Sequence, residues 1–219
     1  MKMSDLNALP WMARWQMLPP PGGTILCAVS GGRDSVCLLH YLHHLGQTHG
    51  FTVAAAHLNH LMRPTAQRDE DFVRALCASL DVPFHTEKAD VYALCDTWGL
   101  TVEEAGRRAR YDFLRRTASA IHADFIATAH HREDQAETVL LQLLRGTGPQ
   151  GLSGIPPVRG GIIRPLLDTP RAAIEGYIRA HGLTYVTDET NLDLSYARNR
   201  LRLSLWPELA AINPALTAH

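Results

Sequence analysis

The stretch ILCAVSGGRDS at residues 25–35 decides the fold of this chain. Residues 25–29 are apolar and favour a buried strand. The pair Gly31-Gly32 permits the positive φ angles and the close backbone approach that a phosphate group requires. A helical pattern follows over residues 35–45. The stretch therefore predicts a strand, a glycine turn and a helix whose N-terminus points at the turn.

The glycine turn, residues 30–35, has the composition of an anion site. Its backbone amides, the hydroxyls of Ser30 and Ser35 and the helix N-terminus would all point at one anion. Asp34 repels phosphate unless a cation lies between them, so we expect Mg²⁺ held by Asp34, phosphate oxygens and water. The alternative is a capped turn without a ligand, since Asp and Ser are common helix caps. No lysine stands where a Walker loop has one.

Beyond the glycine turn, apolar β-rich runs alternate with helical patterns. Strands are expected at residues 52–56, 83–85 and 125–129, and helices at residues 69–80, at 91–98, from Thr101 onward and up to Gly146. In the helix that ends at Gly146, an apolar stripe that includes Leu143 and Leu144 is expected to face the core. The alternation predicts an α/β fold with an open, mainly parallel sheet and helices on both faces.

The last third of the chain has a different pattern. Residues 146–157 are rich in Gly and Pro and predict a loop, and residues 158–163 predict a tight hairpin. Thr169-Pro170 starts a helix that ends at Gly182. Tyr185-Val186 predicts a short strand ahead of a polar loop and a basic tail.

A chain of 219 residues is long enough for one main domain with a small appendage. We expect a lead segment at residues 1–23, a nucleotide-binding core at 24–157 and its C-terminal part, with the hairpin, helix and tail, at 158–219. The net charge of −1 does not indicate a nucleic-acid-binding surface. No apolar stretch reaches the ~20 residues of a membrane span, and the first residues lack a secretory signal pattern, so a cytoplasmic protein is expected.

Two histidine-bearing segments follow predicted strands, at residues 57–60 and 128–131. Because open α/β sheets bind ligands at the carboxyl ends of their strands, we expect His57 and His130 to lie beside the glycine turn. The second histidine of each segment, His60 or His131, is equally well explained as a surface residue at a strand end.

Carboxylates follow the second histidine segment. Asp134 and Glu137 are three residues apart at a helix start and share one face. Either Asp134 caps the helix, or the two carboxylates hold Mg²⁺ or receive a proton from an attacking amine.

Three arginines are candidates for phosphate contacts. At ~100° per residue, Arg110 falls within the apolar stripe of its helix and is expected to be buried. A buried arginine needs a partner, which is either a structural carboxylate or a bound phosphate. Arg198 and Arg202 lie one helical turn apart, and they either grip a phosphate together or belong to a solvated basic helix.

Several motifs carry a family resemblance. The string SGGRDS resembles the PP-loop of the N-type ATP pyrophosphatases, which cleave ATP between its α and β phosphates. From residue 25 to residue 207 the chain resembles the tRNA(Ile)-lysidine synthetase family, with its motifs in the same order. The further motifs are HLNHLMRP at 57–64, EEAGRRARY at 103–111, TAHHREDQAETVLLQLLRG at 128–146, IRPLL at 163–167 and the DETN and ARNRLR strings near the end.

The resemblance implies an adenine nucleotide hydrolase-like, Rossmann-like fold and a ligase that forms a carbon–nitrogen bond. ATP would adenylate the C2 oxygen of the wobble cytidine in an isoleucine tRNA with a CAU anticodon. Free L-lysine would then displace AMP and leave lysidine in the tRNA. ATP and Mg²⁺ are the implied cofactors, the tRNA and lysine are the implied partners, and a homodimer is one possible assembly.

The resemblance also assigns roles residue by residue. Nucleotide binding is implied for Ala28, Ser30, Gly31, Gly32, Asp34, Ser35, His57, Leu58, Arg110 and His130, and Asp34 would also hold Mg²⁺. Catalytic roles are implied for Asp34, Arg110, Asp134 and Glu137. Lysine or another part of the substrate would be bound by Asp134, Glu137, Arg198 and Arg202.

Two departures and two rival functions accompany the resemblance. Leu61-Met62 stands where many relatives have a glycine, and the C-terminal tRNA-binding domains of longer relatives are not expected here. One rival is a tRNA 2-thiolation enzyme, which usually needs paired or catalytic cysteines, whereas the four cysteines of this chain form no C-x-x-C pair. The other is a non-catalytic ATP-binding module, which gives no reason for Asp134, Glu137 and Arg110 to converge.

Overall fold

The computed structural model describes residues 6–62, 65–187 and 197–213. The strands are β1 Thr24–Ala28, β2 Thr52–Asn59, β3 Phe84–Lys88, β4 Phe125–Ala127, β5 Val158–Arg159 and β6 Ile162–Ile163. The helices are α1 Leu9–Arg14, α2 Arg33–His49, α3 Ala66–Ser79, α4 Val91–Trp98, α5 Val102–Ala120, α6 Arg132–Leu144, α7 Arg171–Ala180, α8 Ala197–Arg200 and α9 Trp206–Ile212. A π-helical turn, Leu201–Leu205, joins α8 to α9.

The strands form one sheet in the order β3-β2-β1-β4-β6-β5. Strand β1 pairs in parallel with β2 and β4, and the parallel pairing continues to β3 on one side and β6 on the other. Among the described strands, β5 alone runs antiparallel, in the predicted hairpin with β6. The prediction of an open, mainly parallel sheet is confirmed. Its parallel strands place their carboxyl ends at one edge, directly beside the glycine turn.

The side chains of β1 alternate between two hydrophobic cores. Ile25 and Cys27 lie in a core with residues of α2, α3 and α7, whereas Leu26 lies in a second core with Phe113 and Leu114 of α5. Helices therefore cover both faces of the sheet, as predicted. The same alternation explains why β1 reads as a continuous apolar run in the sequence.

Two predictions about single elements are wrong. Tyr185-Val186 forms no strand, although the Val186 amide donates a hydrogen bond of 2.9 Å to the Gly31 carbonyl. The apolar stripe of α6 does not face a core, since Leu143 is 58% and Leu144 69% exposed. Within the described residues, α6 packs against the 3-10 turn Gly151–Ser153 more extensively than against any strand, which leaves the end of its stripe at the surface.

The helix start predicted at Thr101 is confirmed. Thr101 begins α5 with a capping box, because its hydroxyl accepts the Glu104 amide while the Glu104 carboxylate accepts the Thr101 amide. The strand β2 is longer than predicted and includes His57 and Leu58. None of the helices formed by the described residues is both long and apolar enough to span a membrane.

Candidate active site

The glycine turn connects β1 to α2 and is closed by its own hydroxyl groups. Ser35 Oγ donates to the Gly32 carbonyl at 2.9 Å and accepts the Ser30 amide at 3.2 Å. Gly31 has a φ of +91°, which L-residues with a side chain rarely adopt. Because α2 begins at Arg33, its first amides lack intrahelical acceptors and face the turn. The turn therefore has the backbone conformation of an anion cradle.

Asp34 lies in the first turn of α2 next to a guanidinium and an imidazole. Arg33 Nε donates to Asp34 Oδ1 at 3.0 Å, and His131 Nε2 lies 3.7 Å from Asp34 Oδ2. The Arg33 guanidinium also contacts Glu175 of α7 at 2.6 Å, which ties the turn to that helix. About a third of the Asp34 side chain is exposed, so this carboxylate is accessible to a ligand.

A divalent cation would depend on Asp34 and on oxygens of the ligand itself. Across the described ranges, no group of three or more His, Cys, Asp or Glu side chains is arranged to hold a metal ion. Mg²⁺ commonly binds through one or two carboxylates together with phosphate oxygens and water. Asp34, with about a third of its side chain exposed beside the glycine turn, fits that mode of binding.

The tip of β2 lies next to the end of β1. His57 is buried, and its Nδ1 donates to the Val29 carbonyl at 2.8 Å. Burial lowers the pKa of His57, so its imidazole is neutral at pH 7. Ala28 is half-buried and Leu58 is buried in the adjoining strand. The backbone of these residues lines the edge next to the glycine turn, while the His57 ring holds the strand ends together.

The tip of β4 carries His130 and His131, and the two differ in environment. His130 Nδ1 is hydrogen-bonded with Thr128 Oγ1 at 3.0 Å, and burial lowers the pKa of His130 to about 4. Burial also opposes a charge on His131, but its hydrogen bond to Glu133 and the charges of Asp134 and Asp34 raise its pKa overall. The pKa values of the two neighbouring imidazoles are therefore shifted in opposite directions.

His131 joins the glycine turn to the carboxylates of α6. Its Nε2 lies 3.7 Å from Asp34 Oδ2 and 3.5 Å from Asp134 Oδ2, while its Nδ1 donates to Glu133 Oε2 at 3.0 Å. The ring is almost fully buried. Sequence reasoning left His131 open as a surface residue; its position directly after a predicted parallel strand was the available signal.

Asp134 and Glu137 have different local roles. Asp134 accepts the His131 amide at 3.0 Å and so stabilises the start of α6, but the N-cap is His131 and not, as the capping alternative predicted, Asp134. Glu137 is only 3% exposed and takes no part in that cap. Arg202 Nε and Nη2 donate to the two Glu137 oxygens at 2.8 and 2.9 Å. The acid pair therefore already engages a cation from the C-terminal segment.

The C-terminal arginines both reach the acid pair, although Arg198 is also exposed to solvent. Arg202 Nη2 lies 3.5 Å from Asp134 Oδ1, and Arg198 Nε lies 3.5 Å from Glu137 Oε2. Arg198 Nη2 also donates to Thr138 Oγ1 at 2.9 Å. Residues 188–196, which include the DETN string that precedes ARNRLR, lie outside the described residues.

The prediction that Arg110 is buried is wrong. Its Cα lies on the buried face of α5 near Phe113 and Leu114, yet its side chain is exposed. A long side chain can lay its methylene groups on apolar surface while its charged end reaches solvent, which the angular pattern does not reveal. Neighbouring protein atoms still desolvate the guanidinium enough to lower the pKa of Arg110.

The buried arginine at this edge is Arg164, which follows β6 and is 5% exposed. Its Nη1 donates to the Pro156 carbonyl at 2.6 Å. Arg164 belongs to the IRPLL motif, but no role was predicted for it. An arginine placed directly after the apolar pair Ile162-Ile163 was the signal that could have singled it out.

The cysteines lack the features of a sulfur-transfer site. Burial raises the pKa of Cys37 to about 12 and that of Cys77 to about 11, and it also raises the pKa of Cys27. Thiols with raised pKa values are poor nucleophiles and poor metal ligands. Cys95, the half-buried fourth cysteine, lies on α4.

A parallel sheet with a glycine turn at its carboxyl edge defines the class of this chain. Residues 13–209 match the PP-loop domain family, and the chain belongs to that family of ATP-binding domains. Membership implies that ATP is used.

Within that class, named relatives agree with one another. The chain is 44% identical over 195 residues to the tRNA(Ile)-lysidine synthase of Thermotoga sp. (strain RQ2), which covers 89% of this chain and 47% of the relative. It is 43% identical over 190 residues to the tRNA(Ile)-lysidine synthase of Petrotoga mobilis, which covers 87% of this chain and 61% of the relative. The chain therefore spans about half the length of these relatives.

Solved structures agree on the fold. The U34-tRNA thiolase NcsA of Methanococcus maripaludis has a TM-score of 0.72 at 17% identity and covers 96% of this chain and 75% of that one. The NH3-dependent NAD synthetase of Campylobacter jejuni has a TM-score of 0.55 at 15% identity and covers 99% and 90%. At such identities the likeness concerns the fold alone.

Proposed function

We propose that this chain carries the catalytic centre of a tRNA(Ile)-lysidine synthetase. One observation supports the proposal most directly: the same nitrogen, His131 Nε2, lies within 4 Å of both Asp34 in the glycine turn and Asp134 in the acid pair. A nucleotide held at the turn and an amine held at the acids would therefore meet in one site. The identity to lysidine synthases over most of the chain supports the same conclusion.

In the first step, the C2 oxygen of the wobble cytidine attacks the α-phosphate of ATP and pyrophosphate leaves. The turn amides and the hydroxyls of Ser30 and Ser35 hold the leaving phosphates. Mg²⁺ at Asp34 would neutralise charge on those phosphates. His130, neutral at pH 7, and Arg110 bind near the α-phosphate, where a guanidinium stabilises developing negative charge.

In the second step, the ε-amine of lysine attacks C2 and AMP leaves with the oxygen that it received. Free lysine has a side-chain pKa near ~10.4 and must lose a proton before it attacks. The carboxylates of Asp134 and Glu137 bind the ammonium group and accept that proton. Arg198 and Arg202, which now contact these acids, would move to the substrate as lysine enters.

A decisive assay supplies the protein with ATP, labelled lysine and unmodified isoleucine tRNA with a CAU anticodon. AMP, pyrophosphate and lysine-bearing tRNA should form in equal amounts, and methionine tRNA with the same anticodon is the control. ATP turnover that leaves the tRNA free of lysine would contradict the proposal. Because the proposed substrates are ATP and tRNA, we expect the protein to act in the cytoplasm.

The rival functions have weaker support. A tRNA thiolation enzyme would need accessible cysteines, whereas burial raises the pKa of three of the four thiols. A non-catalytic ATP-binding module would leave the buried Glu137 and its two arginine partners without a purpose. Sulfur incorporation into tRNA in the same assay would favour the thiolation enzyme.

A further inference from the structure

Arg164 is a buried cation with an unused donor. It is 5% exposed, and its Nε has no hydrogen-bond partner. Its Nη1 donates to the Pro156 carbonyl, and the nearby Tyr111 side chain favours its charged form. Burial lowers the pKa of Arg164, which means that the site makes the charge costly.

The charges around Arg164 increase that cost. Apart from Tyr111, the groups that act on its charge are Arg107 and Arg159, and both repel it. No carboxylate is among the described groups that compensate this guanidinium. A buried charge is normally paired, so an arrangement of this kind favours an anion supplied by a ligand.

Arg164 lies at the ligand-binding edge of the sheet, beside His130. Ile163 pairs with Ala127, and the Thr128 amide donates to the Ile163 carbonyl at 3.1 Å. His130 experiences the positive charges of Arg164, Arg198 and Arg107 against the single negative charge of Asp134. Three guanidinium groups are therefore gathered at this end of the site, although the carboxylate of Asp134 has the largest single charge effect on His130.

Arg107 completes the arrangement from α5. Its guanidinium stacks over the Tyr111 ring at 5.0 Å from the centroid, while the Tyr111 side chain favours the charged form of Arg164. Tyr111 thus contacts the exposed Arg107 and acts on the charge of the buried Arg164. The planar guanidinium fork matches the geometry of phosphate oxygens.

We propose that Arg107, Tyr111 and Arg164 form a second phosphate subsite, which binds a phosphate ester beside His130 and is separate from the glycine turn. The choice of ligands rests on the proposed function, which offers two sources of this chemistry. One is the phosphate chain of the nucleotide, and the other is the RNA backbone next to the reacting cytidine.

The test compares three arginine variants in two binding assays. R164M removes the buried cation, R107Q removes the exposed one, and R115Q is the matched control. Arg115 is exposed, lies on the same helix and also stacks over the Tyr111 ring, at 5.8 Å, but it pairs with Asp112 and does not act on Arg164. One assay titrates α,β-methylene-ATP with Mg²⁺, and the other titrates an anticodon stem-loop RNA at several salt concentrations.

We expect R107Q and R164M to bind one of the two ligands about tenfold more weakly than R115Q does. Weaker nucleotide binding assigns the subsite to the nucleotide. Weaker RNA binding with a salt slope reduced by roughly 0.7–0.9 assigns it to the RNA backbone. The subsite is refuted if R107Q equals R115Q in both assays, whatever R164M does to the melting temperature, or if the unaltered protein binds neither ligand.

The binding assays separate this inference from the proposed function. If the unaltered protein transfers no lysine, and R107Q binds a ligand more weakly than the unaltered protein does, lysidine synthesis is refuted and the subsite is retained. If the unaltered protein forms lysidine, and R107Q and R164M bind both ligands as R115Q does, only the subsite is refuted.

Discussion

Asp34 is the residue at which the electrostatics of the site can be tested most directly. In the described structure, the Arg33 guanidinium and the His131 imidazole lie on two sides of its carboxylate. These contacts leave about a third of the side chain exposed. A carboxylate in the first turn of a helix also interacts favourably with the helix dipole, so a functional and a structural role must be distinguished.

The substitution Asp34→Asn should abolish pyrophosphate release while it leaves the fold intact. If Asp34 holds Mg²⁺, we expect activity to fall at least about a hundredfold, as when a group that stabilises transition-state charge is removed. The dipole contribution is small, so the melting temperature should shift by less than about 3 °C. Pyrophosphate release and thermal melting are measured side by side.

Asp96→Asn is the control, because Asp96 is exposed on α4 away from the glycine turn. It should leave both quantities unchanged. A large fall in melting temperature for Asp34→Asn together with normal turnover would instead support a capping role.

At the scale of elements, the C-terminal segment from α8 through the π-helical turn docks on α6 through ion pairs. Arg202 donates to both oxygens of Glu137, and Arg198 approaches the same carboxylate. Glu137 is almost fully buried, whereas Arg202 is 28% exposed. The docking therefore combines this charge pairing with the burial of Leu201 in the same turn.

A double-mutant cycle with Arg202→Gln and Glu137→Gln should give a coupling free energy of about 1–3 kcal/mol. Removal of Arg202 alone leaves the buried carboxylate of Glu137 with weaker compensation. The free energy of unfolding of Arg202→Gln should therefore be lower than it would be if Glu137 were also replaced. The free energy of unfolding is measured by urea titration.

The exposed pair Arg108 and Asp112, 3.8 Å apart, is the control and should show a coupling below about 0.5 kcal/mol. Equal coupling in the two pairs would mean that the C-terminal segment is not held by Glu137.

A second contact between elements predicts a pH dependence. His40 of α2 is buried, and its Nδ1 is hydrogen-bonded with the Tyr177 hydroxyl of α7 at 2.8 Å. Burial, followed by the charges of His44, His181 and His43, lowers the pKa of His40 to about 4. The unfolded chain then binds more protons between pH 6.5 and 4, so stability falls as the pH falls through that window.

We expect this loss to reach at most about 3 kcal/mol and to be reduced in His40→Gln. His49, exposed at the end of the same helix, provides the control variant His49→Gln, which should follow the unaltered protein. Urea titrations at pH 4.5 and pH 7 test the difference; parallel losses in all three proteins would exclude His40 as the cause.

At the scale of the whole molecule, one sheet separates two cores, and their packing determines stability. Leu39 and Leu114 lie in different cores and are both fully buried. The apolar side chains at the end of α6 belong to neither core. Apolar composition alone therefore does not identify the residues that stabilise the described structure.

Leu114→Ala and Leu39→Ala should each lower the free energy of unfolding by about 2–5 kcal/mol, because each leaves a cavity in a packed core. Leu144→Ala should change it by less than about 0.5 kcal/mol, since its side chain is already exposed. Urea denaturation measures all three variants. A large loss for Leu144→Ala would mean that the end of α6 is covered in solution.

The alternation of apolar strands and amphipathic helices determined the fold from sequence alone. Strands in the centre of a parallel sheet are buried on both faces, so β1 and β2 appear as continuous apolar runs. The glycine pair after β1 likewise determined the turn, because backbone conformation is a local property. The short strand predicted at Tyr185-Val186 failed because a single hydrogen bond to Gly31 does not extend into a ladder.

Only the tertiary structure decided which charged groups meet. Glu137 and Arg202 are far apart in sequence and lie in elements whose approach no local pattern encodes. The angular position of Arg110 on its helix predicted a buried side chain, but that side chain is exposed. The buried arginine is Arg164. Periodicity fixes where a Cα faces, but the burial of a long side chain depends on what other elements pack against it.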